Sequence, residues 1–259
     1  MQIATWNVNS LNVRLPQVLQ WLETSPIDVL GLQELKLTDD KFPYEAIKEA
    51  GYAVEAFGQK TYNGVAILSR YPMSDIVRNI PAFTDPQSRV IAATINHPKK
   101  TIRVINAYFV NGQEPGSEKF AYKMQWLAAL NLYMKNELQK YENVVLLGDF
   151  NVAAQDRDSW DPDGLRETIH HTKEERQAFN DLLDLGLHDA YRLFEQPPKS
   201  FSWWDYRMLG FQKNRGLRID YILLNDTLKA NVTACVIDRT PRKYPKPSDH
   251  TPVIATLNL

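Results

Sequence analysis

The chain has 259 residues and is 44% hydrophobic, 24% charged and 11% aromatic, which is typical of globular proteins and excludes a disordered or collagen-like chain. A single cysteine, Cys235, excludes a disulfide framework and a cysteine-rich zinc site, and the short apolar runs exclude a membrane span or signal peptide, so we expect a cytoplasmic protein. The net charge of −1, taken alone, argues against a nucleic-acid partner.

Hydrophobic periodicity predicts more strands than helices along the chain. The predicted strands are 1–6, 27–33, 52–57, 64–69, 75–80, 89–96, 101–108, 144–147, 219–224, 231–237 and 252–258. The predicted helices are 12–23, 43–50, 117–140 and 173–185. Many neighbouring strands are too close in sequence for helical crossovers, so antiparallel pairing should dominate. The pattern predicts one α/β domain over 1–259, with two mostly antiparallel packed sheets flanked by helices.

The charges are unevenly distributed along these elements. The segment 196–246 contains ten basic and four acidic side chains, so it carries +6 and the remainder of the chain carries −7. Such asymmetry can create a face that attracts anions on a nearly neutral molecule. Charge alone is equally consistent with a solvated basic stretch.

Polar side chains stand at the ends of several predicted strands. A carboxylate at the end of a buried strand costs several kcal/mol in desolvation unless it is paired or bound to a cation. Because strand ends on one side of a sheet converge, we expect these groups to form a single acidic cleft. They are Asn7, Glu34, Asp149, Asn151, Asp220, Asp249 and His250.

The chemistry of these groups favours a hard cation. Carboxylate and amide oxygens without thiolates suit Mg²⁺ or Mn²⁺ better than zinc. The sequence contains no phosphate-binding glycine loop, dinucleotide fingerprint or zinc-protease motif, so we expect metal-assisted phosphoester hydrolysis. Asp149 would transfer the proton, His250 would contact the scissile phosphate, and Asp220 would hold the imidazole in its charged form. Whether His250 is a base or only a phosphate ligand stays open.

The remaining candidates of this type are less specific. Tyr108 could donate its hydroxyl to a phosphate oxygen, or it could be a half-buried packing residue. The other four histidines lack an acidic neighbour in such a setting, and we expect them to be surface or turn residues. They are His97, His170, His171 and His188.

Seven short blocks, spread from residue 5 to residue 250, together resemble the signature of the exonuclease III family within the endonuclease/exonuclease/phosphatase superfamily. The resemblance implies a four-layer α/β sandwich and a Mg²⁺-dependent DNA repair nuclease. Family activities include incision 5′ to abasic sites, 3′→5′ exonuclease action and removal of blocked 3′ termini. The blocks are TWNVNS (5–10), LQELK (32–36), NAY (106–108), LGDFN (147–151), SWWDYR (202–207), GLRIDY (216–221) and SDH (248–250).

The resemblance also implies a role for each matching residue. Asp149 resembles the general acid/base, Asn151 would position it, Tyr108 and His250 would bind the phosphate, and Asp220 would partner His250. The implied metal ligands are Glu34, Asn7, Asp149, Asn151 and Asp249. The implied DNA contacts are Trp203 in a pocket for the baseless sugar, Arg207, Asn111 and Arg218. Trp203 has the alternative of ordinary packing beside Trp204.

The substrate is expected to be double-stranded DNA with abasic sites or 3′ ends, bound by a monomer. The segment 156–171 matches no family block; if it lies beside the cleft, Arg166 or a neighbour would restrict the 5′ side and leave a 3′-end exonuclease. Two alternatives remain open. A phosphatase for inositol phosphates or phospholipids would leave Trp203 and the basic segment without a purpose, and a non-catalytic DNA-binding module would not need the acidic cluster.

Overall fold

The computed structural model describes residues 1–259. The strands are β1 (Gln2–Asn7), β2 (Val29–Gln33), β3 (Ala53–Phe57), β4 (Val65–Ser69), β5 (Met73–Arg78), β6 (Val90–His97), β7 (Lys100–Tyr108), β8 (Val144–Asp149), β9 (Leu187–Asp189), β10 (Trp203–Trp204), β11 (Gly216–Leu217), β12 (Asp220–Asn225), β13 (Val232–Ile237) and β14 (Val253–Leu257). The helices are α1 (Leu11–Thr24), α2 (Tyr44–Glu49), α3 (Glu118–Lys140), α4 (Lys173–Asp184) and α5 (Asp226–Lys229). None of these helices combines the length and the apolar character needed to cross a membrane.

The strands form two six-stranded sheets and one two-stranded ribbon. Sheet one has the order β13-β14-β1-β2-β4-β3, sheet two has the order β5-β6-β7-β8-β12-β9, and β10 pairs with β11. Only β1–β2 and β7–β8 are parallel, and every other pair is antiparallel. The predicted dominance of antiparallel pairing is therefore confirmed.

Alternation along the central strands explains why two sheets pack face to face. In β8, Val145 and Leu147 belong to the core between the sheets, whereas Val144 and Leu146 pack beneath α3 and α4. A third core, on the outer face of sheet one, is covered by α1 and α2 and includes Trp6 and Trp21. The order helix, sheet, sheet, helix confirms the predicted four-layer α/β sandwich.

The strand register brings the predicted site residues to one edge. Asn7 ends β1 opposite Gln33 of β2, and Tyr108 ends β7 opposite Asp149 of β8. The first residue of the antiparallel strand β12, Asp220, also lies opposite Asp149. Both sheets therefore present their polar strand ends on the same side of the molecule.

A buried amide contact ties the sheets together just below this edge. Gln33 Nε2 donates to Asn106 Oδ1 at 2.7 Å, across the layer between the sheets. Asn106 Nδ2 donates in turn to the carbonyl oxygens of Leu32 and Ala66 at 2.9 and 2.8 Å. These buried hydrogen bonds between the sheets fix their relative position, although Gln33 Oε1 itself has no partner.

The elements that periodicity did not predict are the shortest ones. Strands β9, β10 and β11 contain two or three residues each, and α5 is a single turn. A segment of that length has too few side chains to show a period. The long elements were predicted to within a few residues at each end, with the strand that ends at Asp149 extending two residues beyond the predicted 144–147.

Candidate active site

Asp149, Asp220 and His250 form the centre of the site. His250 Nδ1 lies 2.9 Å from Asp220 Oδ2, and His250 Nε2 lies 3.6 Å from Asp149 Oδ2. All three residues are buried, and their possible ligand atoms lie within 4.8 Å of one another. Ser202 donates from its hydroxyl to Asp220 Oδ2 at 2.6 Å and fixes that carboxylate. The imidazole is thus held between two carboxylates.

The electrostatics of this centre separate the roles of its members. Burial disfavours the charged imidazole, but the carboxylates of Asp220 and Asp149 outweigh burial and raise the pKa of His250 to about 10. Burial also raises the pKa of Asp149 to about 7, against the opposing effect of the His250 cation. His250 therefore carries its charge at neutral pH, and Asp149 is the carboxyl group suited to exchanging a proton.

Asn7 connects this centre to the carboxylate of Glu34 on the other sheet. Asn7 Nδ2 donates to Glu34 Oε2 at 3.0 Å and to Asp149 Oδ2 at 2.9 Å. Its Oδ1 accepts a hydrogen bond from the backbone N–H of Asn9 at 2.9 Å. In this conformation Asn7, an expected metal ligand, positions the two carboxylates with its nitrogen. Glu34 has a φ of 59°, in the left-handed region, and its Oε1 lies 3.0 Å from Lys36 Nζ.

Asp249 lies on the far side of Lys36 and Asn9. Lys36 Nζ donates to Asn9 Oδ1 at 2.6 Å, and Asn9 Nδ2 donates to Asp249 Oδ1 at 2.9 Å. The other oxygen of Asp249 accepts from Trp203 Nε1 at 2.9 Å. These contacts link the expected metal ligand Asp249 to the expected pocket residue Trp203.

The donor set fits a hard divalent cation. Both ring nitrogens of His250 already face carboxylates, so the imidazole offers no free ligand atom. The acidic groups close enough to His250 to share an ion with it are Asp149 and Asp220, and the carboxylate of Glu34 is joined to Asp149 through Asn7. Asp249 accepts from Asn9 and Trp203, and no thiolate is among these groups. Oxygen donors of this type are the ligands that Mg²⁺ and Mn²⁺ prefer.

Tyr108 lies at the end of β7, beside Asp149, with its side chain half-buried. Burial, followed by the charges of Glu34 and Asp149, raises the pKa of its phenol well above the ordinary value. The guanidinium of Arg89 lies over its ring at 5.0 Å. Tyr108 therefore keeps its proton and can donate it in a hydrogen bond.

Asn151 and Asn111 lie next to Asp149 in the loops after β8 and β7. The backbone N–H of Asn151 donates to Asp149 Oδ1 at 3.0 Å, and Asn151 Nδ2 donates to the carbonyl of Phe109 at 3.0 Å. Asn111 Nδ2 lies 3.3 Å from Asn151 Oδ1. Asn151, an expected metal ligand, thus contacts Asp149 through donors, while Asn111 is exposed at the rim.

A cavity of about 620 Å³ opens beside this centre. Trp203 lines it, and the exposed Arg207 lies at its edge, paired with Asp205 at 2.6 Å. The segment 156–171 forms much of the opposite wall, so it does lie beside the cleft. Arg166, however, pairs with Asp163 at the surface and is not among the lining residues. The wall residues from this segment are Trp160, Leu165, Thr168, Ile169, His170 and His171.

The structure contradicts the expectation that Arg218 contacts DNA. Its side chain is 1% exposed, and it forms ion pairs with Asp158 at 2.7 Å and Asp189 at 2.8 Å. Asp158 also pairs with Arg192. Nη1 of Arg218 has no partner, but it is buried and cannot reach a phosphate in solution, so Arg218 stabilises the fold instead.

His171 differs from the expectation of a surface or turn position, whereas His170 lies in a turn and is partly exposed. His171 is buried and contacts Ser159 Oγ at 3.0 Å through Nε2. His170 contacts the carbonyl oxygen of Asn151 at 2.6 Å through Nδ1, and burial lowers its pKa to about 3. His170 is therefore neutral at the wall of the cavity. Neither residue had an acidic neighbour in sequence, so spacing gave no signal.

Comparison with known proteins places the chain among nucleases. The sequence pattern of the Endonuclease/Exonuclease/phosphatase family matches residues 4–250. Exodeoxyribonuclease III of Haemophilus influenzae is 36% identical, over 98% of this chain and 99% of that protein. The solved structure of a 3′ phosphatase, NExo, from Neisseria bound to a product DNA hairpin is 48% identical with a TM-score of 0.96, and an AP endonuclease from Archaeoglobus fulgidus is 35% identical with a TM-score of 0.95; each is covered over 100% of both chains.

Proposed function

The chain belongs to the endonuclease/exonuclease/phosphatase superfamily and, within it, to the exonuclease III family, and on this premise we propose that it is a Mg²⁺-dependent DNA repair phosphodiesterase. Its substrate would be duplex DNA, cleaved 5′ to abasic sites or processed at 3′ ends. One observation carries the proposal: Asn7 joins Glu34 of one sheet to Asp149 of the other, beside the Asp149–His250–Asp220 centre.

The side chains divide the work of phosphodiester hydrolysis among them. Asp149, with its raised pKa, would take a proton from the attacking water or return one to the leaving oxygen. His250 stays charged, which favours its role as a phosphate ligand over that of a base. Tyr108 would donate its hydroxyl to another phosphate oxygen, and Asn151 would hold Asp149 in place.

Glu34 would hold the metal ion, with Asp149 and Asp249 alongside. The ion, when bound, would neutralise charge on the phosphate and lower the pKa of the attacking water. Asn7 and Lys36 would keep the Glu34 carboxylate oriented through the contacts described above. We propose Mg²⁺ for this site, with Mn²⁺ as the substitute of similar ligand preference.

The test is cleavage of a duplex with one internal abasic site and of a matched duplex with a recessed 3′ end, each with Mg²⁺ and with EDTA. We expect cleavage only with Mg²⁺, and a loss of about 1,000-fold or more in kcat for Glu34→Ala and Asp149→Asn, because each removes a group that acts in the transition state. Full activity in either variant would falsify the site assignment. Glu45→Gln, at an exposed position on the outer helix α2, is the control.

The same gel measures the balance between the two DNA activities. The names of the relatives include both an AP endonuclease and a 3′ phosphatase, so the family premise admits either balance. The segment 156–171 walls the cavity beside Trp203, and we propose that it limits the DNA that extends to the 5′ side. Faster digestion of the 3′ end than incision of the abasic duplex would support that proposal, and faster incision would contradict it.

We propose that residues 1–259 act as one catalytic domain and as a monomer, because the site takes its residues from both sheets of one chain. We propose that this monomer acts in the cytoplasm.

The alternative of an inositol phosphatase would leave Trp203 and the exposed cations of 196–246 unused. Turnover of a phosphoinositide above that of abasic DNA would favour it. Binding of DNA that persists in EDTA, with no cleavage in Mg²⁺, would instead favour a non-catalytic module.

A further inference from the structure

A buried ion pair lies directly beneath the loops that carry Asn111 and Asn151. It joins Lys123 of α3 to Glu175 of α4, and both side chains are 0% exposed. Lys123 Nζ also donates to the carbonyl oxygens of Asn111 at 3.1 Å and Asn151 at 2.8 Å. The ammonium thus has three acceptors for its three donors, two of which belong to residues at the site.

Stability alone gives no reason for this pair. Removing two charges from water costs several kcal/mol each, and well-packed apolar residues of similar volume often replace a buried pair without loss of stability. An apolar residue at 175 would keep the bond from its own N–H to the Thr172 hydroxyl and lose the reciprocal bond from the Thr172 N–H, which an uncharged glutamine could also accept. What the apolar residues could not supply is the pair of donors to the two carbonyls.

The two carbonyls control the positions of the site amides. Asn151 has a φ of 50°, in the left-handed region. Its backbone N–H and its side-chain amide both contact the carboxylate of Asp149. Gly112, between the loop and the helix, has a φ of +87°, and a Cβ there would lie 2.9 Å from Lys123 Cδ. The lysine therefore packs closely against the Asn111 loop as well as hydrogen-bonding to it.

We propose that Lys123 is a positioning residue for phosphodiester hydrolysis, which holds Asn151 against Asp149 and Asn111 against Asn151 while Glu175 neutralises its charge. This inference rests on the proposed function of the site. A compact ammonium with three directional donors suits the task, because it can satisfy two carbonyls and one carboxylate around a single atom. Lys123 touches neither substrate nor the reacting atoms, so its effect passes through the two asparagines.

The experiment compares two buried ion pairs that each include one residue of α3. Lys123→Met/Glu175→Gln removes both charges of the first pair, and the glutamine keeps the capping box of α4. Arg103→Met/Glu137→Gln removes the second pair, whose arginine lies five residues before Tyr108 in β7. Turnover of the duplex that the wild type cleaves is measured with Mg²⁺, together with urea unfolding of each protein.

We expect Lys123→Met/Glu175→Gln to lower kcat about 100-fold, with KM changed less than about 3-fold, because misplacement by about 1 Å has an effect of that size. The Arg103→Met/Glu137→Gln variant should keep the wild-type kcat. Lys123→Gln/Glu175→Gln retains an amide donor, and we expect an intermediate kcat. It also provides the test if the methionine variant does not fold.

The outcomes distinguish a failure of the positioning role from a failure of the proposed function. A folded Lys123→Met/Glu175→Gln variant with the kcat of the wild type contradicts the positioning role and leaves the proposed function intact. Equal losses of kcat in both double variants would likewise overturn it, because they would show a general effect of removing buried charge. A wild type that cleaves neither duplex contradicts the proposed function itself, and with it this inference.

Discussion

At the scale of single residues, the site depends on one imidazole whose charge is fixed by its neighbours. His250 faces Asp220 through Nδ1 and Asp149 through Nε2, so either carboxylate stabilises the protonated ring. Asp220 and Asp149 raise the pKa of His250 against the effect of burial, and burial raises the pKa of Asp149. In the proposed mechanism the ring therefore carries the charge and Asp149 transfers the proton.

Asp220→Asn should make activity fall at alkaline pH. The variant removes one of the anions that raise the pKa of His250, so the ring should lose its proton at a lower pH than in the wild type. Because we propose the charged ring as the phosphate ligand, we expect kcat to fall about 10- to 100-fold at pH 8 and less at pH 6. A pH–rate profile between pH 6 and 9 measures this. Parallel profiles for wild type and variant would exclude the role given to Asp220.

At the scale of elements, ion pairs inside the protein hold irregular segments to the sheets. Arg218 precedes β12 and pairs with Asp158, from the loop after β8, and with Asp189 at the end of β9. The backbone N–H of Arg218 also donates to the carbonyl of Asp158 at 2.8 Å. This network anchors the start of the segment that walls the cavity.

Asp158→Asn should destabilise the protein by about 3–5 kcal/mol, because it leaves buried guanidinium groups with less compensating charge. The arginines hold the pKa of Asp158 below its ordinary value in spite of burial, so its contribution is full above the unfolded-state pKa and is lost as pH falls through the lower folded-state pKa. Urea unfolding at pH 7 and at about pH 3 measures both effects. The exposed Asp163→Asn should change stability by less than about 1 kcal/mol; equal effects would contradict the prediction.

At the scale of the whole molecule, net charge conceals a cationic face. Two arginines of the segment 196–246, Arg218 and Arg242, are buried, and most of its other basic side chains are exposed. Arg207 and Arg215 line the cavity, and the exposed cations of the segment are available for contacts with phosphates. A nearly neutral protein can therefore still bind a polyanion through one side.

Lys213→Gln/Lys243→Gln should weaken duplex binding and reduce its dependence on salt. Both lysines are exposed in the basic segment, and each phosphate contact contributes about −0.9 to the slope of log affinity against log salt. We expect the slope to become less negative by about 2, measured by fluorescence anisotropy in EDTA, which prevents cleavage. Lys48→Gln/Lys135→Gln, on the outer helices, should leave the slope unchanged, and an identical slope in both variants would contradict the assigned face.

Gly31→Ala should impair activity more than its single methyl group suggests. A Cβ at Gly31 would lie 2.2 Å from Leu147 Cδ1 of the other sheet and 3.0 Å from Asn106 Cγ, so the buried Leu147 side chain must move within the layer between the sheets. We expect a loss of about 1–3 kcal/mol in stability and a loss of about 10-fold or more in kcat, measured in urea and on the duplex. Gly51→Ala, in an open turn with φ of +89°, should lose about 1 kcal/mol and no activity. Unchanged kcat in Gly31→Ala would show that sheet spacing is not critical.

Much of this arrangement could be predicted from the sequence, because strand ends and motif residues are local features. The positions of Asn7, Glu34 and Asp149 at the ends of strands predict that they lie at one edge. Lys123 and Glu175 could not be predicted, because they are 52 residues apart and meet only through the packing of α3 on α4. The burial of Arg218 could not be predicted for the same reason. A basic residue in a basic segment gives no sign that it will form buried ion pairs with two acidic residues from distant parts of the chain.

The contact between Gln33 and Asn106 has a consequence for how such a protein can diverge. It fixes the distance between the two sheets, one of which carries Glu34 and the other Asp149. In the proposed mechanism, that distance sets the space available to the scissile phosphate. Substitutions on the outer helices do not change the distance between the sheets, whereas a change of one methyl group in the layer between the sheets does. New specificities should therefore accumulate in the peripheral loops, while the interior changes only through compensating pairs.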